Sequence, residues 1–334
     1  MDRVRIGLIG AARVAPYAIV APARSVCGAE LAAIAARAPA RAATFAAEHG
    51  IATVHSDYDA LIADPTIDLV YVATPPATHA AIAHRALDAG KNVLIEKPFA
   101  LNAAEAAAIL DHAQARGLHA FEAMHAPHHA LFGKTAAIFA SGVLGRVRRI
   151  SASFSTIIAD SPDEFRWNAA LGGGALMDLG IYPLALCRRL LGEDYTVDAI
   201  AAEFQRGVDV RMLADLRFGE IAVRVGCSML DPFEARLEVG GEEGTLCIRN
   251  PVAPSLGNRL TLRSRTSCEA HEVAGRSSWT GQLAAIVATL IDGAPYPLPA
   301  DDPLASMRAI DRLRTHPDWA ASLSDAATAP PLRR

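Results

Sequence analysis

The stretch Val4–Ala15, VRIGLIGAARVA, decides how the first part of this chain folds. Val4–Ile9 is largely apolar and predicts a short β-strand, and a helix is predicted to begin near Ala15. The turn between them is where a dinucleotide-binding fingerprint, G-x-G-x-x-G, has to lie. Gly10 and Ala15 fit that fingerprint, but Ala12 replaces its middle glycine. An ordinary strand-to-helix turn therefore stays open as the alternative.

The same alternation continues along the first third of the chain. Strands are predicted at Leu31–Ala35, Asp68–Ala73 and Asn92–Ile95, and a helix is predicted at Thr78–Ala89 with Gly90 as its stop. Short apolar strands separated by helices are typical of right-handed β-α-β units. The N-terminal part is therefore predicted to be an α/β domain with a parallel sheet.

The pattern changes after the predicted helix Asn102–Arg116 and the predicted strand Leu118–Phe121. We place a domain boundary there, with a cofactor-binding domain at 1–122 and a substrate-binding and oligomerisation domain at 123–334. A helix is expected around Gly133–Ser141. Strands joined by short glycine-containing turns follow, at Val147–Phe154, Val197–Phe204, Val208–Phe218, Glu220–Ser228, Glu234–Val239 and Thr245–Ile248. Short links between strands favour an open, mostly antiparallel sheet in an α+β domain.

Two further helices, near Trp279–Asp292 and Pro303–Thr315, are predicted to close the fold. They could belong to the second domain or pack back on the first.

Composition excludes several classes of protein. The 334 residues carry a net charge of -4 with both signs mixed along the chain, which argues against a nucleic-acid binder. No uninterrupted apolar run reaches the ~18 residues of a membrane span. The five cysteines are widely spaced, without a C-x-x-C pair, and are expected to be buried free thiols in a reducing compartment. We therefore expect a cytoplasmic protein without nucleic-acid or membrane partners.

Residues after the second strand favour NADP(H) over NAD(H). A site for NAD usually places a carboxylate there to bind the ribose hydroxyls, but this chain has Arg37, with Arg41 one helical turn later. Glu30 has the right count from the glycines but lies at the remote end of the strand. A guanidinium binds a 2'-phosphate that a carboxylate would repel. The alternative is that Arg37 is a solvated surface charge. The expected phosphate cradle is formed by Gly10, Ala12, Arg13 and Val14.

Two more loops follow the carboxyl ends of parallel strands, where ligands bind in open α/β sheets. They are Thr74–His79, TPPATH, and Glu96-Lys97-Pro98. Lys97 is expected next to the nicotinamide. Further residues of these loops are expected to contact the cofactor: Thr74, Pro75, His79 and Glu96.

The segment Gly172–Pro183, GGGALMDLGIYP, carries a carboxylate and a phenol four residues apart. On an α-helix, residues with that spacing lie on one face, so Asp178 and Tyr182 would project side by side. The preceding glycines are expected to let the backbone approach a ligand closely.

Taken in order, these motifs resemble the glucose-fructose oxidoreductase/inositol dehydrogenase/MocA (Gfo/Idh/MocA) family over nearly the whole chain. The motifs are Gly10–Ala15, Ala73-Thr74-Pro75-Pro76, Glu96-Lys97-Pro98, Glu122-Ala123 and Gly172–Pro183. The resemblance implies an N-terminal Rossmann domain and a C-terminal domain whose open sheet often forms a dimer interface. A homodimer or higher homo-oligomer is therefore expected.

With tyrosine at position 182, the chain resembles the branch of the family that contains dihydrodiol dehydrogenases, NADP-dependent xylose dehydrogenases and glucose-fructose oxidoreductase. Inositol dehydrogenase-like members typically have histidine at that position. This resemblance implies hydride transfer at a carbon of a sugar, polyol or cyclic diol.

Proton transfer has to accompany that hydride transfer. A tyrosine with a pKa near ~10 is a poor base at neutral pH, but a nearby ammonium favours its phenolate. We assign Tyr182 as the acid/base and Lys97 as the residue that tunes it. Proton transfer by Lys97 itself stays open. Asp178 would orient Lys97 or accept a substrate hydroxyl, or would simply favour a helix N-terminus.

A non-catalytic NADP-binding sensor with the same fold is the competing hypothesis. The presence of Lys97, Asp178 and Tyr182 together argues against it.

Several residues near these motifs have two interpretations. His125, His128 and His129 suggest a metal site, but Pro127 interrupts the spacing and no cysteine lies near, so no metal is predicted. His125 is instead expected beside the substrate. Arg166 and Trp167 are candidate substrate contacts, with core packing as the alternative for Trp167.

Overall fold

The structure is a computed structural model that describes residues 2–328, with side chains described up to residue 323. The chain divides into two compact units. The first runs to His128 and includes Arg276–Met307, and the second consists of His129–Gly275 and the residues from Arg308 onward. The boundary after residue 122 stays a prediction.

The first unit contains the predicted parallel sheet. Its order is β3-β2-β1-β4-β5-β6. Strands β2 and β3 lie on one side of β1, and β4, β5 and β6 lie on the other. That order is typical of dinucleotide-binding folds. The strands are β1 Val4–Ile9, β2 Ala29–Ala35, β3 Thr53–Val54, β4 Leu69–Val72, β5 Asn92–Ile95 and β6 Ala120–Glu122. All their pairings are parallel. The predicted Rossmann-type fold is confirmed.

Helices follow the strands, as the β-α-β pattern requires. They are α1 Ala21–Ser25, α2 Pro39–His49, α3 Tyr58–Ala63, α4 His79–Asp88 and α5 Ala103–Ala115. The helix predicted to begin near Ala15 starts instead as a π-turn, Pro16–Val20, which leads into α1. The predicted cap of α5 is present, because the Asn102 side chain accepts a hydrogen bond from the Glu105 N–H at 2.9 Å. Helices α2 and α3 were not predicted.

The second unit contains an eight-stranded sheet in the order β14-β13-β12-β11-β7-β10-β9-β8. The strands are β7 Val147–Ser155, β8 Thr196–Gln205, β9 Val208–Phe218, β10 Ile221–Ser228, β11 Glu234–Gly241, β12 Gly244–Arg249, β13 Arg259–Ser264 and β14 Cys268–His271. Only the β7–β10 pair is parallel among the pairings of this sheet in the described chain. The predicted antiparallel character is confirmed, although β13 and β14 were not predicted.

One face of this sheet is packed and the other is open. On β9, Val210, Met212 and Leu216 are buried, whereas Leu213 is 43 % exposed. This alternation is what a sheet with one covered face requires. Strand β9 has the same bounds as predicted from the sequence.

The remaining helices are α6 Ala130–Ala140, α7 Ile181–Leu191, α8 Ser278–Asp292, α9 Asp302–Arg314 and α10 Pro317–Thr328. A second π-turn, Leu176–Gly180, leads directly into α7. Helix α8 lies in the segment that belongs to the first unit. Helix α10 was not predicted. Short 3₁₀ turns occur at Pro76–Thr78, Ala126–His128, Phe165–Trp167, Ala169–Leu171 and Pro254–Leu256.

The stretch Ala169–Leu191, which includes a 3₁₀ turn, the second π-turn and α7, is long and apolar enough, by length and composition, to cross a membrane. In this fold, however, 78 % of its most apolar window is buried inside the protein. Core helices of globular proteins pass the same test, and burial of this kind is typical of them.

Candidate active site

The carboxyl ends of the parallel strands bring several predicted residues to one edge of the first sheet. Strand β1 ends at Ile9, β2 at Ala35, β4 at Val72 and β5 at Ile95. Because neighbouring strands run in the same direction, the loops that follow them share this edge. These loops contain Gly10, Arg37, Thr74 and Lys97.

Gly10 is required by the packing of two of these loops. Its φ is +101°, and a Cβ at this position would overlap the carbonyl oxygen of Ala73. Its N–H donates to the carbonyl of Ala35 at 2.8 Å. The glycine therefore allows the loop after β1 to lie against the loop after β4, which any larger residue would prevent.

An arginine cluster surrounds the loop after β1. The Arg41 guanidinium, on α2, donates to the carbonyl of Ala11 at 2.8 Å, and Arg13 and Arg37 are exposed. Glu30 lies at the other end of β2, where it pairs with Arg3 and Arg5 at 3.1 and 3.0 Å. Guanidinium groups bind phosphate oxygens through charged hydrogen bonds, as a phosphorylated ribose requires. The chemistry of this loop therefore fits NADP(H).

His79 holds the two other loops together. It is fully buried, with Nε2 at 2.8 Å from the Thr74 carbonyl and Nδ1 at 3.0 Å from the Pro98 carbonyl. Burial lowers the pKa of His79, although the two carbonyl oxygens favour the protonated ring. The effect of burial on this pKa is the larger one, because no solvent reaches the ring. His79 thus supports the loops that contain Thr74 and Lys97 from beneath.

Glu96, which precedes Lys97, is held by the neighbouring strand. Its carboxylate accepts a short hydrogen bond from the hydroxyl of Tyr71 on β4. Both Glu96 and Lys97 are partly exposed. The backbone at this strand end is therefore anchored beside an accessible lysine.

His125 is a buried, neutral ring close to Lys97 in the first unit. It is 5 % exposed, its Nδ1 lies 2.9 Å from Ser278 Oγ, and it stacks on Trp279 at 4.1 Å. Burial, and then the charges of Lys97 and His128, lower the pKa of His125 to about 3. Sequence reasoning missed Ser278 and Trp279, because no local pattern links α8 to a loop so far away in the chain.

The three histidines that suggested a metal site have separate partners. His125 contacts Ser278, His128 lies 3.0 Å from the hydroxyl of Tyr296, and His129 Nδ1 accepts from the Leu131 N–H at 3.1 Å. His129 is therefore the N-cap of α6.

Asp178 and Tyr182 lie on either side of a change in helix type. Asp178 is in the second π-turn, and Tyr182 is in the first turn of α7. The Ile181 N–H donates to the Leu176 carbonyl five residues earlier, as in a π-helix. The α-helical rule for residues four apart therefore does not give their relative direction, and the predicted side-by-side projection needs this correction.

Asp178 is ion-paired within the second unit. Its carboxylate accepts from Arg166 Nε at 2.6 Å, and Arg166 also contacts Glu164 at 2.9 Å. Burial alone would lower the pKa of Arg166, but Asp178 and Glu164 reverse this effect and raise it. Arg166 thus orients Asp178, a contact that the sequence did not reveal.

Two aromatic residues near this pair differ in environment. Tyr182 is half-buried and packs edge-on against Phe154, with ring centroids 5.6 Å apart. Trp167 is 6 % exposed, and its indole N–H donates to the Ile158 carbonyl at 3.1 Å. This environment supports the packing alternative for Trp167.

The triple glycine approaches protein atoms rather than open space. A Cβ at Gly173 would lie 2.5 Å from the Arg166 carbonyl oxygen. Gly174 has φ +117°, and a Cβ there would overlap the carboxylate of Asp209. Contacts within the protein therefore account for the absence of a side chain at Gly173 and Gly174, and close approach of this backbone to a ligand stays a prediction. The two glycines admit the Arg166 backbone and a buried aspartate.

This sheet order, with glycine-containing and basic loops at the carboxyl edge, is typical of the dinucleotide-binding class of proteins. Comparison with known proteins identifies the family. Residues 4–124 match the oxidoreductase family with an NAD-binding Rossmann fold, Gfo/Idh/MocA, and residues 132–247 match the C-terminal domain of that family. The chain belongs to the Gfo/Idh/MocA family.

Similar proteins include reductases and dehydrogenases. A dTDP-3,4-didehydro-2,6-dideoxy-alpha-D-glucose 3-reductase from Streptomyces violaceoruber is 36 % identical over 78 % of this chain and 77 % of its own length. A D-xylose 1-dehydrogenase (NADP(+)) from Haloferax volcanii is 31 % identical over 92 % of this chain and 95 % of its own. A trans-1,2-dihydrobenzene-1,2-diol dehydrogenase from Sus scrofa is 32 % identical over 66 % of this chain and 67 % of its own length.

A solved structure is similar over nearly the whole chain. It is a 3-ketoreductase from Actinomadura kijaniata in complex with NADP and TDP-benzene. The two share 27 % identity with a TM-score of 0.88, covering 94 % of this chain and 98 % of the other.

The packing of Gly174 leads to a stability prediction. We expect Gly174→Ala to destabilise the protein more than Gly192→Ala, by at least about 1 kcal/mol, because only Gly174 adds overlap with Asp209 to backbone strain. Gly192 is the matched control, since its φ is +94° but no atom of the described residues lies within 4 Å of the place a methyl group would take. Urea denaturation would measure both. Equal losses would show that Asp209 yields without cost.

Proposed function

We propose that this chain is an NADP(H)-dependent oxidoreductase that interconverts an alcohol and a carbonyl on a sugar, polyol or cyclic diol. The observation that carries the proposal is the half-buried phenol of Tyr182 next to a turn that holds an ion-paired carboxylate. A tyrosine in such a setting is a candidate acid/base for a substrate hydroxyl. Membership of the Gfo/Idh/MocA family supports the same reaction type.

The first unit is proposed to bind the cofactor. Arg37 and Arg41 would bind the 2'-phosphate, with Arg13 nearby, and the loop after β1 would bind the diphosphate. His79 would act through the loops it supports. Other proposed cofactor-binding residues are Gly10, Ala12, Val14, Thr74, Pro75, Glu96 and Lys97. When bound, the nicotinamide would accept or donate the hydride.

The proton is proposed to move through Tyr182. In the oxidative direction Tyr182 accepts the proton of the substrate hydroxyl, and in the reductive direction it returns the proton to the carbonyl oxygen. The Lys97 ammonium would favour the phenolate and polarise the substrate oxygen. Lys97 as the direct proton donor stays an alternative, which the pH dependence of a Tyr182 variant would distinguish.

Asp178 is proposed to contact the substrate or to orient Lys97. Arg166 holds the Asp178 carboxylate through a charged hydrogen bond, so it would contribute to substrate binding through Asp178. His125 is proposed as a neutral neighbour of Lys97 that does not compete for a proton at physiological pH. Trp167 was predicted as a substrate contact, and its buried environment favours a supporting role.

Relatives define the substrates to test. The substrates in the names of similar proteins are a nucleotide-linked deoxy-keto sugar, D-xylose and a trans-dihydrodiol. All three offer a secondary hydroxyl or a carbonyl on a ring or chain of carbons. A panel should therefore contain free aldoses, polyols, cyclic diols and dTDP-linked keto sugars, each with NAD(H) and NADP(H), followed at the nicotinamide absorbance band.

Removing the phenol hydroxyl tests the catalytic assignment. We expect Tyr182→Phe to lower kcat by about 10²–10⁴-fold, the usual effect of losing a general acid/base, while the Kd for NADPH is unchanged. Lys97→Met should also lower kcat. Tyr195→Phe is the matched control, because Tyr195 is a buried tyrosine elsewhere in the second unit and should leave turnover intact.

The competing sensor hypothesis makes the opposite prediction. It would be preferred if the wild type bound NADPH, showed no hydride transfer with any member of the panel, and Tyr182→Phe changed nothing.

Cofactor preference depends on the arginine cluster. We expect Arg37→Ala or Arg41→Ala to raise the KM for NADP(H) about 10–100-fold, since each removes charged hydrogen bonds to the phosphate. Arg37→Ala should leave the KM for NAD(H) within a factor of two, whereas Arg41→Ala also removes a hydrogen bond to the loop after β1. Arg85→Ala, an exposed arginine on α4 paired with Asp59, controls for the change in net charge. A wild type that strongly prefers NAD(H) would contradict this assignment.

We also propose that the chain forms a homodimer or higher homo-oligomer through the open face of the second sheet. That face carries the exposed Leu213 among small residues such as Ala201, Ser153 and Gly226. The ion pair of Arg224 and Asp215 is the next pair along β10 and β9 on the same face. The small side chains around Leu213 leave room for a second sheet to pack against this face. Sedimentation velocity should give a multiple of the 35.2 kDa chain mass, and Leu213→Asp should shift it towards the monomer. A monomeric wild type would contradict the proposal.

A further inference from the structure

Asp209 is a buried carboxylate that neither the family motifs nor the proposed mechanism uses. It lies on β9, is 3 % exposed, and accepts a hydrogen bond from the Leu176 N–H at 2.6 Å. Leu176 is the first residue of the second π-turn. The other carboxylate oxygen of Asp209 occupies the space in which a side chain at Gly174 would lie.

The start of a helix has backbone N–H groups without partners inside the helix. A carboxylate satisfies them and also interacts favourably with the positive end of the helix dipole. Here that carboxylate is supplied by a strand of the sheet rather than by a capping residue next to the helix, and Ala175 makes no side-chain cap. Asp209 therefore ties the turn to the rigid sheet.

The other end of the same turn rests on the neighbouring strand. A Cβ at Gly180 would lie 3.0 Å from the Sγ of Cys227 on β10. The turn between Leu176 and Gly180 is thus held by β9 at its start and by β10 at its end. Asp178 lies inside this turn, and Tyr182 is the second residue after the end of the turn.

The carboxylate is maintained at a cost to stability. Burial raises the pKa of Asp209 to about 6 from the ordinary 3.8, despite the bond from Leu176 and the charge of Arg314. The folded state therefore binds this proton more tightly than the unfolded state, and the stability due to this group declines as pH rises from about 4 to about 6. At neutral pH the ionised group destabilises the fold, which is the trade found where function selects a residue.

We propose that Asp209 is a positioning residue, whose carboxylate holds the start of the turn Leu176–Gly180 and thereby fixes the directions of Asp178 and Tyr182. Its role in turnover rests on the proposed function, whereas its hold on the turn does not. The turn and α7 form one continuous helix, because the Ile181 N–H donates to the Leu176 carbonyl. Displacement of Leu176 would therefore move Tyr182.

Two substitutions test this role in the full chain. In Asp209→Ala, amide hydrogen exchange in peptides covering residues 174–182 should become at least tenfold faster, and kcat should fall about 10–100-fold with the KM for NADPH within a factor of two. Asp209→Asn keeps one acceptor oxygen, so it should recover most of kcat and of the local protection. If Asp209→Ala fails to fold, the same two measurements on Asp209→Asn should show smaller changes confined to this segment.

Val223→Ala is the matched control for general destabilisation. Val223 is 1 % exposed on β10, so its truncation should lower the Tm without faster exchange at 174–182 or a loss of kcat. The proposal is overturned if the Asp209 variants leave exchange at 174–182 unchanged, or if they lower kcat no more than Val223→Ala does. If the wild type has no turnover, the proposed function fails, and exchange alone decides whether Asp209 holds the turn.

Discussion

The parallel hydrogen bonding of the first sheet is the constraint on which the cofactor site depends. Neighbouring strands run in the same direction from β3 to β6, so their following loops share one edge. This arrangement brings Gly10, Arg41 and Lys97 to the same side, although they are far apart in the chain. His79 then links two of these loops through the carbonyls of Thr74 and Pro98. The sheet positions the loops, and a buried ring keeps them in place.

The second unit positions its side chains by close approach rather than by strand direction. Gly173 and Gly174 let the helix start press against the Arg166 backbone and the Asp209 carboxylate. Arg166 in turn binds Asp178 at 2.6 Å, so one loop supplies both the surface that the glycines pack against and the cation that orients the carboxylate. The glycine-rich motif is therefore a packing device for the polar groups around it.

Most strands and the loops at their ends could be predicted because their signals are local. Short glycine-containing turns on either side identified β9, and the apolar run before Glu96 identified the strand that places Lys97. Strand β14, at the edge of the sheet, was missed because its residues are polar or small and mostly exposed. Strand β13 beside it was missed although Leu260 and Leu262 alternate with polar residues. The π-turn at Leu176–Gly180 was missed as well. Its residues suit an α-helix equally, and the wider turn is accompanied by contacts with β9 and β10.

The sequence by itself determined most of the strands, the arginines after β2, and the family motifs, because each depends on neighbouring residues or on fixed spacing. Only the tertiary structure decided which groups meet. The Asp209 cap on Leu176 joins residues 33 apart in the chain, and the bond between His125 and Ser278 joins residues 153 apart. Such contacts depend on how strands and helices pack in three dimensions, and the spacing of residues along the chain does not predict that packing.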